Sequence, residues 1–156
     1  VEKSKERKVF TFNRAASHNY FLFDKYEAGI ELRGTEVKSI REGRANLKDS
    51  YAQVKNSEVW LLNCHISPYS HGNRQNHDPL RPRKLLLHRN EIRRLIGKTV
   101  ERGFTLIPLQ FYLKQGHIKC EVALAKGKQT HDKRESIRKK ESDREARAAM
   151  QRGRKA

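Results

Sequence analysis

Residues 20–44 read YFLFDKYEAGIELRGTEVKSIREGR, and the first half of this stretch alternates with a period of two. Tyr20, Leu22, Tyr26, Ala28, Ile30 and Leu32 fall on one face, while Lys25, Glu27, Glu31 and Arg33 fall on the other; Asp24 interrupts the apolar side once. Successive strand residues point to opposite faces, so the pattern predicts a long antiparallel strand, buried on one side and wet on the other. Gly34 ends the run. The residues behind it predict a short helix, with Thr35 as N-cap, Val37 and Ile40 on the inner side and Gly43 as the stop. A long strand feeding a short helix under a sheet is the seed of a small barrel, and nothing in it has a catalytic pattern.

Working outward, residues 1–8 are charged and read as a mobile basic N-terminus. Val9–Asn13 is β-like, and Arg14–His18 is a loop or a turn of helix. Tyr51–Val54 and Val59–Ile66 pair as a hairpin around Lys55–Glu58. Ser67–Lys84 is polar and basic, holds three of the four prolines, and reads as a long exposed loop. Leu85–Leu87 leads into a helix with Ile92, Leu95 and Ile96 on one side and Gly97 as its stop. Val100, Phe104 and Leu106 alternate as far as Pro108, after which Leu109, Phe111, Tyr112 and Leu113 make both sides apolar. Beyond the Lys114–Gly116 turn, Ile118, Cys120, Val122 and Leu124 face in, while His117, Lys119 and Glu121 face out.

The chain has 156 residues, enough for one domain and a tail, and 35 Lys and Arg against 18 Asp and Glu give a net charge of +17. That much like charge repels itself, which points to a polyanionic partner, and to nucleic acid above membrane because no basic amphipathic helix is present. No apolar run approaches the roughly 18 residues of a membrane span. VEKSKERK has no apolar stretch behind it and does not read as a secretory signal. Two cysteines indicate no disulfide framework, so the expectation is a reducing, cytoplasmic setting. Residues 131–156 hold ten Lys or Arg and five Asp or Glu, with Ile137 and Met150 as their bulky apolar side chains. Such a segment buries too little to order itself and is expected to be disordered when free. Asp132 with Glu135 resembles a capping box and Glu135 with Lys139 is a favourable helical pair, so a polyanion would draw it into a helix.

Cys64-His65 with His117 and Cys120 suggests zinc, but in two strands the members of each pair point to opposite faces, and two buried core cysteines are the plainer reading. His71, His77 and Asp78 share the loop without a second rigid element to orient them as acid and base. Arg74, Arg81, Arg83 and Lys84 are candidate phosphate contacts. Glu27 is either a surface ion-pair partner of Lys25 or of a cross-strand arginine, or a carboxylate accepting from base or sugar donors. Phe21 and Phe23, placed on the same outer face as Glu27, either stack on bases or pack under a loop.

Taken in order, Glu27-Ala28-Gly29-Ile30, Gly34-Thr35-Glu36-Val37-Lys38-Ser39-Ile40-Arg41, Asp49-Ser50-Tyr51, Arg83-Lys84-Leu85-Leu86-Leu87-His88, Ala125-Lys126-Gly127-Lys128 and His131-Asp132-Lys133-Arg134 resemble the small protein B family, the tmRNA-binding (SsrA-binding) proteins of bacteria. The resemblance runs from about Val9 to the C-terminus. It implies a mainly β fold with short helices: an OB-like, Greek-key antiparallel barrel of about six strands over residues 9–130, with a basic tail over 131–156. It implies no enzyme activity, no metal or other cofactor and no small-molecule substrate. Its partners would be the tRNA-like domain of tmRNA and the ribosome, through rRNA of the small subunit, in trans-translation. RNA-binding residues carried over by the resemblance are Asn13, Arg14, His18, Glu27, Leu86, Lys119, Lys126, Gly127 and Lys128. The ribosome-facing tail would use His131, Asp132, Lys133, Arg134, Ile137, Arg138, Lys139 and Met150, the last preceded by Ala149 where the family tends to carry a branched aliphatic. An RNA-processing enzyme on a barrel scaffold and a general ribosomal RNA-binding protein are the competing readings.

Overall fold

The long strand is present in the computed structural model, which describes residues 8–70 and 76–128 together with Arg138, Glu141, Arg144 and Glu145. It forms β2 (Tyr20–Ile30) and lies antiparallel to β9 (His117–Gly127). Its single apolar face is in fact two. Leu22 stands opposite Ala125 and Lys25 opposite Ala123, so β2 carries one residue more than its partner between these pairs. A one-residue bulge reverses the alternation. Tyr26 and Ala28, opposite Val122 and Cys120, face the barrel interior. Tyr20 and Leu22 pack on the outside with Ile107, Leu109, Ala123 and Ala125, beneath Ala16 of α1 (Ala16–Asn19). Phe21 and Glu27, expected on one face, therefore lie on opposite faces.

Around β2 six strands close a ring. The remaining members are β4 (Tyr51–Lys55), β5 (Glu58–Leu62), β7 (Arg83–Leu86) and β8 (Thr105–Lys114), in the order β8-β4-β5-β7-β2-β9 with β9 returning onto β8. All pairings are antiparallel, and β8 returns beside β4 after the run β4-β5-β7, the Greek-key order. β1 (Lys8–Phe12) adds outside the ring, on β8, so the strand takes in Lys8 from the expected N-terminal arm. The β4–β5 hairpin turns on Asn56 and Ser57, both at positive φ, a two-residue turn whose twist matches its strands. The second strand of that hairpin was expected to run to Ile66. It stops at Leu62, and after Asn63 (φ 56°) the short β6 (His65–Ile66) pairs instead with β3 (Ala45–Asn46) in a separate two-stranded sheet.

Two helices each bury a side chain in the interior: Ile40 from α2 (Gly34–Arg41) and Leu95 from α3 (Arg89–Ile96). They join Leu61, Leu85, Leu106, Phe111, Cys120 and Val122, all buried. The N-cap of α2 is Arg33, two residues before the expected Thr35; the Arg33 N–H donates to the Glu36 carboxylate, while the Thr35 hydroxyl pairs with His77. Gly43 (φ 74°) ends this helix as expected. Gly97 does not end α3. It is right-handed helical, and a π-helical turn, Gly97–Glu101, carries the chain to Gly103 (φ 71°).

The described part of the 67–84 segment is less exposed than its composition suggests. Arg83 is fully buried, donating to Glu36 and to the carbonyls of Cys64, Asp78 and Pro79. Arg81 also donates to Glu36, and Lys84 pairs with Glu58 at 3.2 Å. Arg83 and Arg81 hold the fold through Glu36, which corrects their reading as phosphate contacts, while Lys84 stays at the surface in its ion pair; Arg74 and His71 lie outside the described residues. His77 is buried too, its ring nitrogens on Thr35 and the Ile66 carbonyl, and so is an internal brace. In the tail, Arg138, Glu141, Arg144 and Glu145 are helical and exposed. His131, Asp132, Lys133, Arg134, Ile137, Lys139 and Met150 lie outside the described residues.

Candidate nucleic-acid interface

The residues named for RNA binding gather at two places along the β2–β9 pair. At one, the register sets Gly29 opposite both Lys119 and Leu86, with Glu27 two residues back opposite Glu121. Leu86, the last residue of β7, is 46% exposed. A shallow groove of about 270 Å³ runs here between Gly29, Leu86, His117 and Lys119, with Arg41 at its rim. Gly29 lies close to the neighbouring strand, and a Cβ added there would meet Leu86 Cβ at 3.2 Å, a tight contact that Leu86 would have to give way to.

Glu27 is not merely wet. Its carboxylate accepts from the hydroxyl of buried Tyr112 at 2.5 Å and from Lys114 at 3.0 Å, both on β8, across the intervening β9. The ion pair was expected with Lys25 or an arginine; the cation is Lys114, which alternation alone does not place beside Glu27. The charge-assisted bonds fix the carboxylate in position on an outward-facing surface.

The second place is the end of the barrel where β2 begins and β9 finishes. Tyr20 is opposite Gly127 and Phe21 opposite Lys126. The Lys128 backbone N–H donates to the Asn19 carbonyl and its ammonium to the Ser17 carbonyl, so the Lys126–Lys128 segment is fastened to α1, which carries His18. Arg14, in the turn before α1, is exposed. Nothing in the fold itself requires glycine at 127, because an added Cβ would meet no atom within 4 Å. Asn13, by contrast, is 8% exposed and its amide nitrogen donates to the carbonyls of Leu47 and Pro108. It braces the corner that precedes Arg14 and α1, and of the residues the resemblance names for RNA binding it is the one the structure buries.

Two residues at this end were missed. Phe104 meets Phe23 edge-to-face at 5.0 Å, and Lys98 lies 5.9 Å from the Phe104 ring. In sequence Phe104 reads as a core strand residue and Lys98 as the residue after a helix stop, so neither signals a surface. Among the described residues no three His, Cys, Asp or Glu side chains gather where they could hold a metal ion. Cys64 and Cys120 are buried in the core, where burial pushes the Cys64 thiol up to about 11 and the Cys120 thiol well above its ordinary range. Among the described residues no helix is long and apolar enough to cross a membrane.

Comparison with known proteins agrees with this architecture. A family model described as SmpB protein matches residues 10–152. The chain is 60% identical over 143 residues to an SsrA-binding protein of Halothermothrix orenii, covering 92% of each chain. It is 61% identical over 138 residues to the SsrA-binding protein of Desulforudis audaxviator, covering 88% of this chain and 90% of that one. Against the SsrA-binding protein of Geobacillus thermodenitrificans the identity is 58% over 145 residues, with 93% and 94% covered. Among solved structures, a chain from the work described as "tmRNA-SmpB: a journey to the center of the bacterial ribosome" superposes with a TM-score of 0.65 at 45% identity, covering 81% of this chain and 93% of that chain. With its six-stranded ring, its fastened Lys126–Lys128 segment and relatives of this likeness along nearly its whole length, the chain belongs to the SmpB protein family.

Proposed function

We propose that this chain binds the tRNA-like domain of tmRNA and delivers it to stalled ribosomes for trans-translation, acting in the cytoplasm and without catalysis of its own. The observation that carries the reading is the pair of sites at the two ends of the β2–β9 ladder, Glu27, Leu86 and Lys119 at one and His18, Lys126, Gly127 and Lys128 at the other, in a chain of net charge +17. Lys126 and Lys128 hold phosphates, and the open space over Gly127 admits a backbone. Lys119 and Lys126 are seven residues apart on one strand, about 23 Å. A folded RNA domain engages both places; a short single strand engages one.

The test is binding of the isolated tRNA-like domain and of an unrelated hairpin RNA of equal length, followed by anisotropy over a range of salt. Affinity for both should fall steeply as released counterions lose their drive, while preference for the tRNA-like RNA persists at each salt concentration. Equal affinity for the two RNAs throughout would leave only a nonspecific basic protein.

A further inference from the structure

Three phenylalanines and three lysines meet at the end of the barrel where β2 begins. Phe21 is 46% and Phe23 47% exposed, although both sit in a strand whose neighbouring apolar residues are packed. Phe104, half-buried against the core, meets Phe23 edge-to-face at an interplanar angle of 89°. Each unit carries a cation: Lys126 lies 4.6 Å and Lys98 5.9 Å from the Phe104 ring, and Lys128 lies 5.1 Å from the Phe21 ring. The one-residue bulge in β2 produces this arrangement. It sends Leu22 outward under α1, and so turns Phe21 and Phe23 to the other side, towards Phe104.

We infer that Phe21 and Phe23, buttressed by Phe104, form a stacking platform for unpaired RNA bases, with Lys98, Lys126 and Lys128 taking the flanking phosphates. An exposed aromatic ring offers a π-face to any base, and lysines beside it match the phosphates that every nucleotide brings. A purely apolar partner would use the rings and leave the ammonium groups desolvated without a counter-charge. Asp24 is the acidic residue of β2 next to these rings, against three lysines, so the balance favours an anion. Phe104 is the support and not the platform, since Phe23 and Lys126 already cover it.

This inference rests on RNA binding and extends it to a base-stacking site. The probe is a short unstructured oligoribonucleotide with 2-aminopurine at its centre, whose fluorescence falls when the base stacks. The native chain should quench it. Phe21→Leu with Phe23→Leu keeps apolar bulk but removes the rings; quenching should be lost and affinity should fall roughly tenfold or more, at an unchanged salt slope because the lysines remain. Phe21→Tyr with Phe23→Tyr should retain both, and Phe21→Leu alone, which leaves the Phe23–Phe104 contact intact, covers the case in which the double leucine variant melts early. Native quenching in the leucine variants, or loss in the tyrosine variant equal to that in the leucine variant, overturns the platform. If the native chain binds neither this probe nor the tRNA-like domain, the RNA reading itself fails.

Two further arms identify the source of the bases. Weakened binding of the leucine variant to a tRNA-like domain with intact loops, but not to one with abasic loop nucleotides, assigns them to tmRNA. Native affinity for that RNA with weakened binding to ribosomal subunits assigns them to rRNA. Native affinity for both overturns the proposal.

Discussion

The Glu36 carboxylate and the Arg83 guanidinium meet at 2.5 Å with both side chains fully buried. They tie α2 to β7, and Arg81 and the Arg33 N–H add bonds to the same carboxylate. Burial by itself would raise the pKa of Glu36. The hydrogen bonds from Arg81, the Arg33 backbone and Arg83 outweigh it and hold the group below its ordinary value. Because the folded value is the lower one, the stabilisation is present above the ordinary carboxylate range and is lost as pH falls through the lowered value. Urea unfolding midpoints should therefore drop on acidification below about pH 4.5. Glu36→Ala at neutral pH should lose roughly 3–5 kcal/mol, because Arg83 is left charged and unpaired in the interior. It should also flatten the acid limb, and a variant as acid-sensitive as the native chain would assign that limb to other carboxylates.

Glu27 separates a structural from a recognition role. Glu27→Lys sets an ammonium group beside that of Lys114 and takes the acceptor away from Tyr112, so it should cost about 1–3 kcal/mol. Glu27→Gln is the cleaner variant, since an amide oxygen still accepts from Tyr112. It should melt close to the native chain yet bind the tRNA-like RNA several-fold more weakly, even though removing a negative charge favours any polyanion. Tighter binding by the glutamine variant would reduce Glu27 to an anchor for Lys114.

Truncation divides the chain's two tasks. Every strand of the ring lies before residue 128, so a protein ending at Thr130 should fold and bind the tRNA-like domain with affinity within a few-fold of the full chain. Peptide tagging on stalled ribosomes should be abolished, because the ten cations beyond His131 are lost with the segment proposed to reach rRNA. Full tagging by the truncated chain would move the ribosome contact into the barrel.

What the sequence makes legible follows from which forces are local. Alternation in residues 117–124 predicts the inward set of Ile118, Cys120, Val122 and Leu124, because an unbulged strand keeps its period. It misleads for residues 20–32, where the extra residue between Leu22 and Lys25 is set by pairing with β9 and shows in the sequence only as the break at Asp24. Arg83 was invisible as a core residue for a related reason: its burial depends on Glu36, 47 positions away. The resemblance names Lys126–Lys128, His18 and Arg14 together, and the structure bonds Lys128 to the carbonyls of Ser17 and Asn19 in the helix that carries His18. It is Asn13 and the Phe21–Phe23–Phe104 group whose surroundings come only from the assembled barrel.

The bulge in β2 also has a bearing on how this protein tolerates change. Between Leu22 and Lys25 two residues stand against one on β9, so deleting a single residue there would leave one against one and remove the bulge, with Leu22 still opposite Ala125 and Lys25 still opposite Ala123. The leading half would keep its face, and the local change would fall on Phe23 and its contact with Phe104. Deleting both residues would leave β2 one short of β9, and the resulting one-residue slip would exchange the inner and outer side chains of Tyr20–Leu22. The bulge is thus a reserve of one residue, which the strand can lose without changing the side that each half presents.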